Sequence, residues 1–204
     1  MLSHSIYNAR IKAITDFAEY LETDPIFQDK NHHESFSHWH VVVNDFTQQL
    51  KDLGLEFNKA IHKGTPLMHM LIACPYLTLE EKRLTIRGLR AFIPGTDTNI
   101  LDSQGNTTLH YFLKMLLEHP SVQLIDSVID KSFTQSMYSN CNEINSANPE
   151  GSTVLDLLNE IISNIMYNIS ALSLNKQVQT KFLELLPTFQ EIRSDLIQFG
   201  AKEA

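Results

Sequence analysis

The sequence predicts an all-α chain of about four helix pairs stacked as a repeat array, and three stretches carry that prediction. The first, GTDTNILDSQGNTTLHYF from Gly95 to Phe112, reads as a helix end, a turn-rich finger and a helix start. Gly95 can close a helix in the left-handed conformation at no Cβ cost. Asp102, Ser103, Gln104, Gly105 and Asn106 are crowded turn formers, and the Thr107 hydroxyl can cap the next helix. The second, CNEINSANPEGSTVLDLL from Cys141 to Leu158, aligns on the first without a gap at an offset of 46 residues. Asn99 meets Asn145, Asp102 meets Asn148, Gly105 meets Gly151, Thr107 meets Thr153 and Leu109 meets Leu155. The third, GLEFNKAIHKGTPLM from Gly54 to Met68, supplies Gly54, Asn58, Gly64, Thr65, Pro66 and Leu67, one residue shorter between its Asn and its Thr. A recurring unit of roughly 20–50 residues is the sequence sign of a solenoid.

In chain order, residues 3–22 form an amphipathic helix with Ile6, Ile11, Ile14, Phe17, Ala18 and Leu21 on one broad face. Thr23-Asp24-Pro25 ends it, because a residue before proline avoids the helical region. A second helix runs from Ser35 to Leu53 on Trp39, Val42, Val43, Phe46 and Leu50, and Gly54 stops it. Residues 1–53 are thus an N-terminal helix pair, a divergent repeat or a cap. Residues 54–204 form one continuous array with fingers near 54–64, 95–106 and 141–152. Thr65-Pro66 opens the next pair, with Pro66 at the tolerated first helical position, and Leu79–Phe92 is its partner helix. Thr107–Glu118 and Ser121–Tyr138 form the third pair, and residues from Thr153 to about Leu172 and from Lys176 to Phe199 the fourth. Pro187 predicts a kink or break near Leu186. Gly200-Ala201 opens a further finger.

These residues resemble the ankyrin repeat, whose pattern runs Gly-Ala-Asp-x-Asn, a few residues, then Asp-x-x-Gly-x-Thr-Pro-Leu-His. The best copy keeps Gly95, Asp97, Asn99, Asp102, Gly105, Thr107, Leu109 and His110. It has Thr108 for the proline and Phe112 for the small alanine. The copy at Cys141 has Cys for Gly and Asp156 at the His position. The copy at Gly54 keeps Thr-Pro-Leu but has Met68 at the His position, with His69 one place out of register. The helical part spans 30 residues from Thr65 to Gly95, 34 from Thr107 to Cys141 and 47 from Thr153 to Gly200, against about 21 in the usual unit of about 33. Longer helices bury more apolar area, at about 25 cal/mol per Å². Such enlarged helices also occur in atypical ankyrin proteins, including effectors that some intracellular bacteria deliver into host cells.

The resemblance implies a non-enzymatic protein-interaction module, an adaptor, inhibitor or targeting protein, that binds a partner protein on its concave surface. Carried over by position, the contacts are Leu101, Ser103, Gln104, Asn106, Lys114 and Met115 in the best unit. In the next they are Ala147, Pro149, Glu150, Ser152, Glu160 and Ile161. Gly95, Asn99, Asp102, Gly105, Thr107, His110, Gly151 and Thr153 take structural roles, with His110 bonding backbone in the neighbouring finger. Met115 and Ile161 occupy the same position of successive units and are expected to share an exposed apolar strip. The competing reading makes both core, covered by the lengthened fourth pair.

Composition narrows the function classes. The 204 residues carry 24 acidic against 16 basic side chains, a formal charge of -8, which disfavours nucleic acid and anionic membrane as partners. Cys74 and Cys141 suit a reducing compartment without disulfides. No run of 18 apolar residues and no signal peptide is present, so the expected location is cytoplasmic, or the host cytosol for a delivered effector, without membrane insertion. Neither a cofactor nor a metal site is expected. The rival is a helical-scaffold enzyme or metal-binding protein using the His-rich segment 32–40, where His32, His33, His38 and His40 sit around Glu34. On a helix His38 and His40 lie about 200° apart, which argues against a shared ion and for a solvated segment. Asp156 and Glu160, one turn apart, are better explained by an exposed helix face than by acid–base chemistry. The stretch Glu80–Arg90 concentrates Lys82, Arg83, Arg87 and Arg90, read as a solvated outer helix, with docking of an acidic partner as the lesser option.

Overall fold

Apolar residues three and four apart decide the first helices. In the computed structural model α1 (His4–Thr23) buries Ala13, Ile14, Phe17, Ala18 and Leu21, and α2 (Ser35–Asp52) buries Val43, Phe46 and Leu50. The structure describes residues 4–23, 35–55, 57–74, 100–120, 131–138, 143–170 and 175–204, together with Lys82, Ile125 and Ile129. The chain divides into two compact units, Met1–Ile100 and Leu101–Ala204, so α1, α2 and the first finger share one unit. The described residues are mostly helical, as the sequence predicts.

In the first unit the rings of Phe17 and Phe46 stack at 4.0 Å. Phe57 closes on both edge-to-face, at 6.1 and 6.0 Å. Gly54, at φ +66, ends α2 in a Schellman arrangement: Gly54 N–H donates to Lys51 O and Leu55 N–H to Leu50 O. The Arg10 guanidinium, reaching over from α1, donates to Leu53 O at 2.7 Å and to Gly54 O at 2.8 Å. A 3-10 turn (Phe57–Lys59) leads to a hairpin of β1 (Ile61–His62) and β2 (Thr65–Pro66). Its two central residues, Lys63 and Gly64, both have positive φ, 48 and 89, the signature of a type I′ turn. α3 (Leu67–Ala73) therefore starts one residue later than the Thr-Pro pair suggests, because Pro66 is held extended in β2 and acts as the N-cap.

Lys82 is fully buried, and its Nζ donates to Ile72 O at 2.7 Å. Its charge sits where the last carbonyls of α3 concentrate negative potential. Lys82 is thus a structural cation rather than part of a solvated basic face. The other residues of the Glu80–Arg90 stretch lie outside the described residues, as do His32, His33, Glu34, Gly95, Asn99 and Cys141.

The second unit is built from α4 (Thr108–Glu118), α5 (Lys131–Tyr138), α6 (Val154–Ser170) and α7 (Lys176–Gln198). α4 packs on α5 and α6, and α7 packs on α5 and α6. Leu109, Phe112, Leu113 and Leu116 from α4 meet Leu155, Leu158, Ile161 and Ile165 from α6 in the core; Phe182, Leu185, Phe189, Ile192 and Leu196 form the buried stripe of α7. The Asn175 side chain caps α7 by accepting from Gln177 N–H at 2.8 Å. Of the kink or break expected near Leu186, the break does not occur: α7 runs through Pro187. Pro187 is exposed, and the buried stripe continues on both sides, so packing carries the helix across the missing hydrogen bond. Gly200, at φ +94, then ends α7 in a second Schellman arrangement, with Ala201 N–H on Leu196 O at 2.9 Å. No helix among the described residues is long and apolar enough to cross a membrane.

The clamp of Arg10 on the end of α2 yields a stability prediction. Arg10→Met keeps the apolar stem and removes two charge-assisted bonds to carbonyls. It should lower the unfolding free energy by about 1–2 kcal/mol, read from urea denaturation with an unchanged slope.

Candidate functional site

Two fingers of the second unit are built from the same local chemistry. In the first, Gly105 N–H donates to Asp102 O at 3.2 Å and Asp102 N–H to Asn106 O at 3.0 Å. In the next, Gly151 N–H donates to Asn148 O at 2.9 Å and Asn148 N–H to Ser152 O at 3.0 Å. The side chains repeat as well. The Asp102 carboxylate accepts from Asn106 N–H at 2.8 Å, and the Asn148 amide oxygen accepts from Ser152 N–H at 2.8 Å. Each is a short side chain tying its own finger, the known preference of Asp and Asn in turns. Gly105 and Gly151 hold the same left-handed conformation, at φ 83 and 85.

Asp102 is the more heavily bonded of the two, and also accepts from Gln104 N–H, Asn106 Nδ2 and Tyr111 OH. Burial acts to raise its pKa, but the bonds from Asn106, Tyr111 and Gln104 together outweigh burial and hold the carboxyl below its usual value. The contribution of Tyr111 is not visible in the sequence, because no local rule links positions nine apart across a finger.

The helix starts repeat with one informative difference. Thr107 caps α4: its hydroxyl accepts from His110 N–H, and His110 Nδ1 accepts from Thr107 N–H at 3.1 Å, with the Thr107 hydroxyl 2.9 Å away. This is a reciprocal capping box with imidazole in place of the usual Glu or Gln. Thr153 does the same for α6. Its N–H donates to Asp156 Oδ2 at 2.8 Å, its hydroxyl to the same oxygen at 2.7 Å, and Asp156 N–H returns to the hydroxyl. His110 and Asp156 thus hold one position, the third of the helix, and supply one acceptor. With the later start of α3, His69 is also its third residue, and its Nε2 lies 2.9 Å from Ile100 O. The register shift seen in the sequence disappears once the helix start is known.

Accepting at Nδ1 leaves the neutral His110 ring protonated at Nε2. Nε2 is buried and has no partner in hydrogen-bond geometry. Burial pushes the His110 pKa down to about 4; the backbone of Ser152 and Ser146 opposes the shift, and the positive charge of Lys114 adds to it. At neutral pH His110 is an uncharged acceptor whose Nδ1 is already used.

The fingers are stitched to each other. Ser146 Oγ donates to Gly105 O at 2.7 Å. The Asn145 side chain donates to Gly200 O at 3.0 Å and accepts from Lys202 N–H at 2.7 Å. Thr153 Oγ1 also reaches Lys202 O at 2.9 Å, and Ala204 N–H reaches Asp156 Oδ2 at 3.1 Å. The residues after Gly200 therefore lie along the second finger as that finger lies along the first.

The tips are open. Leu101, Ser103 and Gln104 are exposed on one finger, and Ala147, Pro149 and Glu150 on the next. Lys114 bridges from α4 to the second tip, with its Nζ 3.0 Å from Glu150 Oε2, a bond that holds the Glu150 carboxyl below its ordinary value.

No protein-family model and no curated protein matches the chain.

Three residues expected on the partner-facing surface are in the core. Met115 is 2% exposed, Ile161 3% and Asn106 3%. With the first two buried, the exposed apolar strip does not exist, and the reading that makes both core holds. Asn106 turns its amide inward onto Asp102. Ser152 and Lys114 are half-buried, and Glu160 is exposed. Gly105, Thr107, His110, Gly151 and Thr153 hold the finger geometry just described. Among the described residues no group of His, Cys, Asp and Glu is placed to hold a metal ion; the side chains of His38 and His40 lie outside them. Cys74 is buried with its thiol directed at Leu21 O.

Two predictions follow from the fingers. The His110 pKa is lower in the folded protein than in the unfolded chain, so the unfolded chain binds more protons between pH 6.5 and 4. Stability should be full above pH 6.5 and decline as pH falls towards 4, by up to about 3 kcal/mol from this group. His110→Asn, which keeps an acceptor for Thr107 N–H, should flatten that decline in denaturation curves taken at pH 7 and pH 4.5. Gly151→Ala should cost about 1–2 kcal/mol from its left-handed backbone alone. Gly105→Ala should cost more, because a Cβ there meets Ser146 Oγ at 3.1 Å and Ala147 O at 3.4 Å, whereas nothing lies within 4 Å at Gly151.

Proposed function

We propose that the chain is an ankyrin-like stacked array, and that it works as a cytosolic, non-enzymatic adaptor, inhibitor or targeting protein. The observation that supports this is the repetition at an offset of 46 residues of one finger chemistry: an Asx-tied turn, a left-handed glycine and a Thr capping box closed by the third helical residue. Side chains that would interest an enzymologist, His110 and Asp156, are consumed as acceptors inside that device. What remains for contact is at the tips, where Leu101, Ser103, Gln104, Ala147, Pro149 and Glu150 are exposed on backbone held rigid from below. Rigid tips lose little entropy on binding, which favours recognition of a folded or extended protein segment. Leu101 supplies an apolar anchor, and the Lys114–Glu150 pair a charged border.

The test uses affinity capture with the full chain, followed by titration of the captured protein. A Leu101→Asp, Gln104→Ala variant with unchanged helix content and thermal midpoint should lose at least about tenfold in affinity, or about 1.4 kcal/mol. A captured partner that binds this variant as tightly as the wild type removes the finger tips from the function.

A further inference from the structure

We infer that the outer face of the α6–α7 pair is a self-association surface that joins two copies of this chain. The seam between the two antiparallel helices is marked by Arg193 Nε on Asn159 Oδ1, at 2.6 Å, near one end and by Gln179 Nε2 on Ile169 O, at 3.4 Å, near the other. Flanking that seam, α6 presents Ile162, Ser163 and Met166, and α7 presents Leu183, Leu186 and Gln190. Met166 and Leu183 are each 54% exposed, while Ile162 and Leu186 are half-buried. Between the Arg193–Glu203 ion pair at one end and Lys176 at the other, this face carries no charged side chain. Glu184 and Glu191 lie on the flank of α7 turned away from the seam. On exposed helices of a chain in which 20% of residues are charged, an uninterrupted uncharged face with protruding Met and Leu is the mark of a surface that is covered in use.

Charge and size select a second copy as the occupant. The chain carries a formal charge of -8, so two copies repel over most of their surface and meet with least repulsion where no charge is present. A basic partner gains nothing on this face and is drawn elsewhere. α6 and α7 span roughly 25 and 34 Å at 1.5 Å per residue and about 10 Å of width each. They offer about 600 Å² per copy, the lower edge of a specific interface. A two-fold axis running along the seam places α6 of each copy over α7 of the other. The two seam bonds set Met166 level with Leu183 and Leu186, so each Met166 meets that leucine pair across the axis. The surface is distinct from the finger tips and leaves them free.

The experiment is sedimentation velocity of the full chain across a concentration series reaching about 100 µM, with a micromolar dissociation constant expected. Met166→Glu with Leu183→Glu sets like charges against each other across the axis and should give a monomer at every concentration, with helix content unchanged. Gln190→Glu, a milder change at an exposed position, should weaken the dimer at least tenfold and covers the case in which the double variant misfolds. Leu101→Asp should leave the dimer intact. A wild type that stays monomeric at about 100 µM, leaving the face to the helix of some other protein, overturns the inference. So does a dimer that survives both face variants at wild-type strength, or one that dissociates on substitution of Leu101.

Discussion

Each helix that leaves a finger in the second unit must find an acceptor for the N–H of its own capping residue, and the rest of that unit follows from how this is met. The first turn of a helix leaves its N–H groups without intrahelical partners. Here the finger arrives at the helix directly, so water has no room to serve the buried Thr107. His110 Nδ1 serves it instead, and Asp156 serves Thr153. Once the third residue is committed to that acceptor, its orientation is fixed, and so is the course of the finger before it. Gly105 and Gly151 are the positions where the chain reverses to reach the cap, which is why both have positive φ.

The same device sets the spacing between fingers. With the caps satisfied locally, the outer edge of each finger is left to bond its neighbour through Ser146, Asn145 and Thr153. These are side chain-to-backbone bonds across a short gap, so neighbouring fingers lie directly side by side. The helices behind them pack through leucine and isoleucine stripes that have no directional preference. The fingers therefore set the register, and the helices supply most of the burial energy.

Local chemistry was legible in the sequence; coverage was not. Asp102, Gly105 and Thr107 announce a tied turn and a cap because each acts on residues within four positions of itself. The fall of Asn148, Gly151 and Thr153 on the same template identified the second finger. The burial of Met115 and Ile161 depends on which elements cover each helix face, and a period of 3.6 gives only the faces, not their neighbours. Asn106 was misplaced for a related reason. Turn residues are mostly exposed, and only the position of Asp102 shows that this amide must point inward. Lys82 shows the limit most plainly. A cluster of basic residues reads as a solvated face, while the need of α3 for a cation at its C-terminus arises ten residues away. At Pro187 it is the break that is missing, because five well-buried residues on α7 outweigh the single bond a proline removes.

The identity of the third helical residue can be derived from burial alone. All that the cap requires is one acceptor at that place, which a neutral imidazole and a carboxylate both provide. His110 is fully buried, where an isolated carboxylate would carry a desolvation penalty of several kcal/mol. An imidazole avoids it by staying neutral, which is what the depression of the His110 pKa to about 4 expresses. Asp156 is only half-buried. Burial there acts to raise its pKa, and the bonds from Thr153 and from Ala204 N–H overcome it and keep the carboxylate ionised. The departure from histidine at Asp156 is therefore no decay of the repeat: it places the same acceptor where solvent and an extra backbone donor can carry its charge.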